Sequence, residues 1–153
     1  MKNWLFILVL GASTMLFAKD KPYESFIKNL KSHLGHYELV KGDKRCNGDQ
    51  LVLFNDKDIK EGFRIGHDIY FSSISDSSAS EEQSGDCSVN TKYSYTASSI
   101  SLRTEISRCP ASLKKEEAVS TKVFRIKDGR IYYSVKENGF SCEYKKVANK
   151  EGK

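Results

Sequence analysis

The chain has few of the features from which catalysis or metal binding is usually read. Three histidines occur in 153 residues. There is no Gly-x-Ser-x-Gly nucleophile elbow and no glycine-rich loop of the kind that cradles phosphate. No two cysteines are close. Cys46, Cys87, Cys109 and Cys142 are separated by 41, 22 and 33 residues, whereas a structural zinc site draws thiolates from pairs a few residues apart. The ordered Asp-x-Asp-x-Asp-Gly run of a calcium loop is missing, and there is no internal repeat. His33 and His36 could share an ion with Glu38 or His67, but histidines three apart across a helix end more often cap it or face water. No catalytic residue, metal or cofactor is therefore expected. Positive charge is modest: the net +5 falls to +4 once Lys2 is removed with the leader. The lysines are spread along the chain rather than clustered, so nucleic acid is not expected as a partner.

What is present begins with an export signal. Met1-Lys2-Asn3 carries a positive charge and Trp4-Leu5-Phe6-Ile7-Leu8-Val9-Leu10 is apolar. Gly11 to Ala18 then leads into the charged Lys19-Asp20-Lys21. This is the layout of a cleavable leader, residues 1–18. It stops short of the roughly 20 apolar residues that span a bilayer, so no stable membrane insertion is expected after cleavage. The remaining chain has the length of one domain. Four cysteines in an oxidising compartment read as two disulfides, and the protein is expected to be periplasmic or secreted.

Residues 19–35 read as a helix. Tyr23, Phe26, Ile27, Leu30 and Leu34 fall on one face of a 3.6-residue period. Pro22 and Glu24 suit the first turn and Gly35 the end. From 36 to 147 the pattern is that of strands, with 148–153 as a flexible tail. Asp128-Gly129 and Asn138-Gly139 are preferred two-residue hairpin turns. The first places Lys127 opposite Arg130, Phe124 opposite Tyr133 and Ile126 opposite Ile131. The second places Glu137 opposite Phe140, Val135 opposite Cys142 and Tyr133 opposite Tyr144. Both registers put Ile131, Tyr133 and Val135 on the face that carries Phe124, Ile126, Cys142 and Tyr144.

Upstream, 93–97 and 100–106 alternate around Ser98-Ser99, which pairs Tyr95 with Leu102. Cys87 then comes within one residue of Cys109, and a single bulge would join them. Cys46–Cys142 is the remaining bridge. It would contribute roughly 4–5 kcal/mol on the loop-entropy model. Earlier strands are expected at 36–41, 50–54, 62–65 and 68–74. The total of about eight, closely spaced, suggests a single antiparallel up-and-down β-barrel. The serine-rich, acidic stretch 72–88 reads as a mobile polar loop, and 110–120 as a loop or one helical turn.

Gly35-His36-Tyr37 opening the first strand, with a run of antiparallel strands ending near Tyr144, resembles the lipocalin-like (calycin) barrels. In that superfamily a Gly-x-Trp motif on the first strand helps close one end, and Tyr37 would stand in for the Trp. The helix before the barrel and the lack of the family's other short motifs depart from the pattern. The resemblance implies an apolar ligand in the barrel mouth. Tyrosine is the one enriched residue that suits such a site, an apolar ring with a polar tip. Tyr93, Tyr95, Tyr133 and Tyr144, with Phe124, are the candidate ligand-binding residues. The reading from these features is an exported, non-catalytic protein holding a small apolar or amphipathic ligand. The alternative is a protein-interaction module, such as an inhibitor or accessory factor, acting through its loops around a solid core.

Overall fold

The apolar stripe of the N-terminal segment forms a helix because the centre of one face is buried, with Tyr23 and Leu34 partly buried at its ends. A computed structural model of the protein describes residues 21–46, 50–56, 60–66, 69–75, 79–116 and 118–147. The expected leader and the C-terminal tail lie outside these residues. Helix α1 spans Pro22–Ser32, with Pro in its first turn, Glu24 near its start and Lys31 near its end. Phe26 and Leu30 are fully buried and Ile27 nearly so. The chain leaves the helix at His33, whose carbonyl accepts the Tyr37 hydroxyl at 2.7 Å. Tyr37 thus fastens the helix end to the first strand.

Ten strands follow. They are β1 (Gly35–Gly42), β2 (Gln50–Asp56), β3 (Lys60–Ile65), β4 (Ile69–Phe71), β5 (Ala79–Ser84), β6 (Cys87–Thr96), β7 (Ser99–Ser107), β8 (Ala118–Lys127), β9 (Arg130–Val135) and β10 (Phe140–Lys146). A short 3-10 helix, Ala111–Glu116, joins β7 to β8. The strands form one antiparallel sheet in the order β4-β3-β2-β1-β10-β9-β8-β7-β6-β5. The expected polar loop at 72–88 is in large part ordered: β5 and the start of β6 pair from Ala79↔Lys92 to Ser84↔Cys87. β5 is made of Ala, Ser, Glu and Gln with no apolar alternation, so periodicity does not mark it as a strand.

The expected closed barrel does not form. Neighbours follow chain order and the last strand pairs with the first, but β4 and β5 do not pair and the sheet stays open between them. Closure needs a backbone ladder between the two edge strands, in a register fixed by their tilt and shear, and here the two edges lie beside different lengths of β6. β5 lies beside Cys87–Lys92. The segment after the three-residue β4 lies beside the other end of β6, where the Tyr93 and Tyr95 hydroxyls donate to the carbonyls of Ser72 and Ser75 at 2.5 and 2.9 Å. Side-chain hydroxyls occupy the place of a backbone ladder.

The β8–β9 hairpin has the expected register, Lys127↔Arg130, Ile126↔Ile131 and Phe124↔Tyr133. Asp128 and Gly129 both have positive φ, 52° and 71°, as a type I′ turn requires. The other two hairpins are displaced by two residues from expectation. Tyr133 pairs with Cys142 and Ile131 with Tyr144, because the β9–β10 turn takes four residues. Gly139 has φ 68° but Asn138 is not among the positive-φ residues; its Oδ1 instead accepts the Phe140 N–H at 2.9 Å. In the β6–β7 hairpin Tyr93, not Tyr95, pairs with Leu102, and the Thr96 and Ser99 hydroxyls meet across the turn at 2.8 Å. A shift of two leaves every side chain on its expected face.

Both expected disulfides are present. Cys46–Cys142 spans 5.7 Å between Cα atoms and Cys87–Cys109 spans 4.3 Å. The ladder ends with Ser88 opposite Ser107, which leaves Arg108, not Cys109, facing Cys87. Arg108 adopts φ 53°, and this single left-handed residue turns Cys109 onto its partner. Two glycines are required by close approach. A Cβ on Gly42 would meet Cys46 Sγ at 2.6 Å, and one on Gly62 would meet the Phe54 ring at 2.3 Å and the Phe71 carbonyl at 2.6 Å.

Candidate functional site

The five residues expected to hold a ligand are brought to the concave side of the sheet, where they touch protein. Phe124 and Tyr144 are fully buried and Tyr133 is 4% exposed. Because β3 and β4 curl over β8 and β9, Phe63 and Phe71 meet Phe124 edge-on, with ring centroids 4.7 and 6.1 Å apart. Phe71 also meets Tyr133 at 6.3 Å. Phe26 of α1 enters the same space, 6.0 Å from Phe63 and 5.8 Å from Tyr95. Tyr95 stacks on Tyr93 and takes the edge of Tyr23. Tyr133 continues to Phe140, which lies beneath the Arg45 guanidinium at 4.5 Å. A continuous array of rings therefore runs from the helix to the β1–β2 corner. Burial pushes the Tyr37 phenol up to about 12 and raises those of Tyr93 and Tyr133 in the same direction, so all three are neutral at physiological pH.

The convex side of the same strands has a different character. Phe124, Ile126, Ile131, Tyr133, Cys142 and Tyr144 point inward, so the residues between them point out. The register aligns these into rows across four strands. One row runs Glu38, Lys145, Arg130, Lys127 from β1 through β10 and β9 to β8. The next runs Lys41, Glu143, Tyr132, Arg125. Directly opposite side chains on paired strands have Cβ atoms about 5 Å apart, and like charges there repel. Three cations nevertheless stand side by side in the first row. Within these rows Arg130 is bonded to Glu143, which raises its pKa by the hydrogen bond and by the carboxylate's charge. Among the described residues Lys41, Arg125, Lys127 and Lys145 take part in none of the ion pairs found. In sequence the lysines are dispersed. Residues 127, 130 and 145 become neighbours only when β8, β9 and β10 pair, and the β8–β9 turn already placed two of them opposite each other.

Two shallow grooves of about 420 Å³ flank α1. One is lined by Ser25, Lys28, Asn29, Ser32, Ala97 and Ser98, the other by Tyr23, Glu24, Ile27, Lys28, Lys31 and Glu61. His33 Nδ1 is bonded to the Asn29 carbonyl and the Ser32 hydroxyl at the helix end, and His67 lies outside the described residues. Among the described residues no three His, Cys, Asp or Glu side chains gather as metal ligands, and no helix is long and apolar enough to cross a membrane. Comparison with known proteins finds no matching family model, no similar curated protein and no similar solved structure.

Proposed function

We propose that this protein is an exported, non-catalytic interaction module whose interior serves stability and whose surface meets a protein partner. The observation that carries the reading is the ring array itself. Phe63, Phe71, Phe124 and Tyr133 touch one another at distances of 4.7 to 6.3 Å, typical of aromatic pairs in a packed core. Narrow barrels and strongly curled sheets are commonly filled by their own side chains in this way. Export is supported by the leader-like pattern of residues 1–18 and by two disulfides, which persist in oxidising compartments. The likeness to lipocalin-like barrels enters as one of strand order, with successive antiparallel neighbours and the last strand beside the first. Native mass spectrometry of the full chain, expressed with its leader and purified without denaturant, tests the reading. The expected species is the bare oxidised polypeptide. A small apolar molecule retained in stoichiometric amount would overturn it.

A second reading, a small amphipathic ligand, has one observation in its favour. The grooves beside α1 are within the volume range of small-molecule sites, and Lys28 lines both. Titration with a fatty acid, read by shifts of the Lys28 and Asn29 signals, separates this reading from the first.

A further inference from the structure

From the convex face of β8, β9, β10 and β1 we infer a docking surface for an acidic protein segment. The inference rests on the interaction reading above and names the chemistry of the partner. Lys145, Arg130 and Lys127 lie in one row, and Arg125 and Lys41 occupy the ends of the next. Against these five cations the two rows hold two carboxylates, Glu38 opposite Lys145 and Glu143 on Arg130. An arrangement with like charges directly opposed costs stability in the free protein, and a carboxylate-rich surface laid across it removes that cost. Tyr132 sits half-buried between Arg125 and Glu143. Tyrosine and arginine together at the centre of a patch, with lysine towards its rim, is the composition that protein interfaces concentrate. A lipid surface fits less well, because Val40, in the β1 bulge between Glu38 and Lys41, is a single exposed aliphatic side chain beside the two rows, too little to enter the acyl boundary.

The test uses the full oxidised protein and poly-L-glutamate as the acidic probe, followed by fluorescence anisotropy at low and at physiological salt. The double variant Arg125→Gln/Lys127→Gln removes two cations that form none of the ion pairs found among the described residues. At low salt it is expected to bind about twofold to thirtyfold more weakly, the loss of two exposed charge pairs. Lys92→Gln, on the same face of the sheet but on β6, is expected to bind as the parent does. Should the first variant fold poorly, Lys41→Gln/Lys145→Gln makes the same test from the other side of the patch. Binding unaffected by both double variants, no binding by the parent, or tighter binding to vesicles of phosphatidylglycerol than to the peptide would each overturn the inference. These outcomes are independent of the mass-spectrometric test. A retained small molecule removes the interaction reading whatever the probe does, and failure of the probe removes the acidic partner alone.

Discussion

Removing the Cys46–Cys142 bridge is expected to cost more stability than removing Cys87–Cys109, by an amount set mainly by loop length. The two bridges close loops of 96 and 22 residues in sequence separation. With the unfolded-state entropy growing as the logarithm of the loop, these correspond to about 4.7 and about 3.4 kcal/mol at room temperature. For a domain of this size each kcal/mol moves the melting temperature by about 4 °C, so the expected losses are about 19 and about 14 °C. Packing acts in the same direction. Cys46 and Cys142 belong to the central apolar cluster and are 1% and 3% exposed. Cys87 and Cys109 stand outside that cluster, at the open end of the β6–β7 hairpin. The double variants Cys46→Ala/Cys142→Ala and Cys87→Ala/Cys109→Ala avoid leaving a hydroxyl unpaired in the core. Urea unfolding measures each free energy, and the m-value of the first variant should rise because its denatured chain is released from the longer loop. Equal losses, or a larger loss for Cys87–Cys109, would refute the argument that chain entropy orders the two bridges.

Gly62→Ala is expected to lose about 1–3 kcal/mol, the usual cost of overpacking. The new methyl meets the Phe54 ring and the Phe71 carbonyl and displaces Phe54 from its stack on Tyr70, which near-ultraviolet circular dichroism would register. Stability should fall at alkaline pH. The Tyr37 phenol titrates near 10 when unfolded and near 12 when folded. Its contribution is therefore complete below pH 10 and is lost as pH rises towards 12, by about 2–3 kcal/mol. Tyr37→Phe should flatten that limb while costing about 1 kcal/mol at neutral pH for the bond to the His33 carbonyl. Tyr93→Phe and Tyr95→Phe each remove a hydroxyl that bridges the open side of the sheet. The expected loss is about 1 kcal/mol apiece, with faster amide exchange confined to 72–75 and β4. Unchanged exchange in that segment would mean that the bridging bonds do not hold it.

The local signals were informative where a residue type demands one backbone geometry. Asp128-Gly129 specified its turn and register outright, because both positions accept positive φ. Asn138-Gly139 carried the same signal and formed a longer turn, since the Asn138 side chain bonded the Phe140 N–H instead. The two misplaced registers kept the right faces because each error was of two residues; Cys87 stays one residue out of step with Cys109 in either register, and the left-handed Arg108 supplies the difference. β5 was not legible: its serines and acids show no alternation, and its pairing depends on β6 being there to receive it.

By itself the amino-acid pattern determined the helix stripe, most strands and the inward set of side chains, all of which follow from local periodicity and turn chemistry. Whether the sheet closed, whether its concavity was hollow and which cations became neighbours were decided only in three dimensions. β4 and β5 form no ladder, and the seam between them is bridged by the Tyr93 and Tyr95 hydroxyls instead. Phe26 and Phe63, far apart in the chain, met inside it, and strand pairing drew Lys127, Arg130 and Lys145 into one row. Each depends on contacts between segments distant in sequence, where no local preference acts.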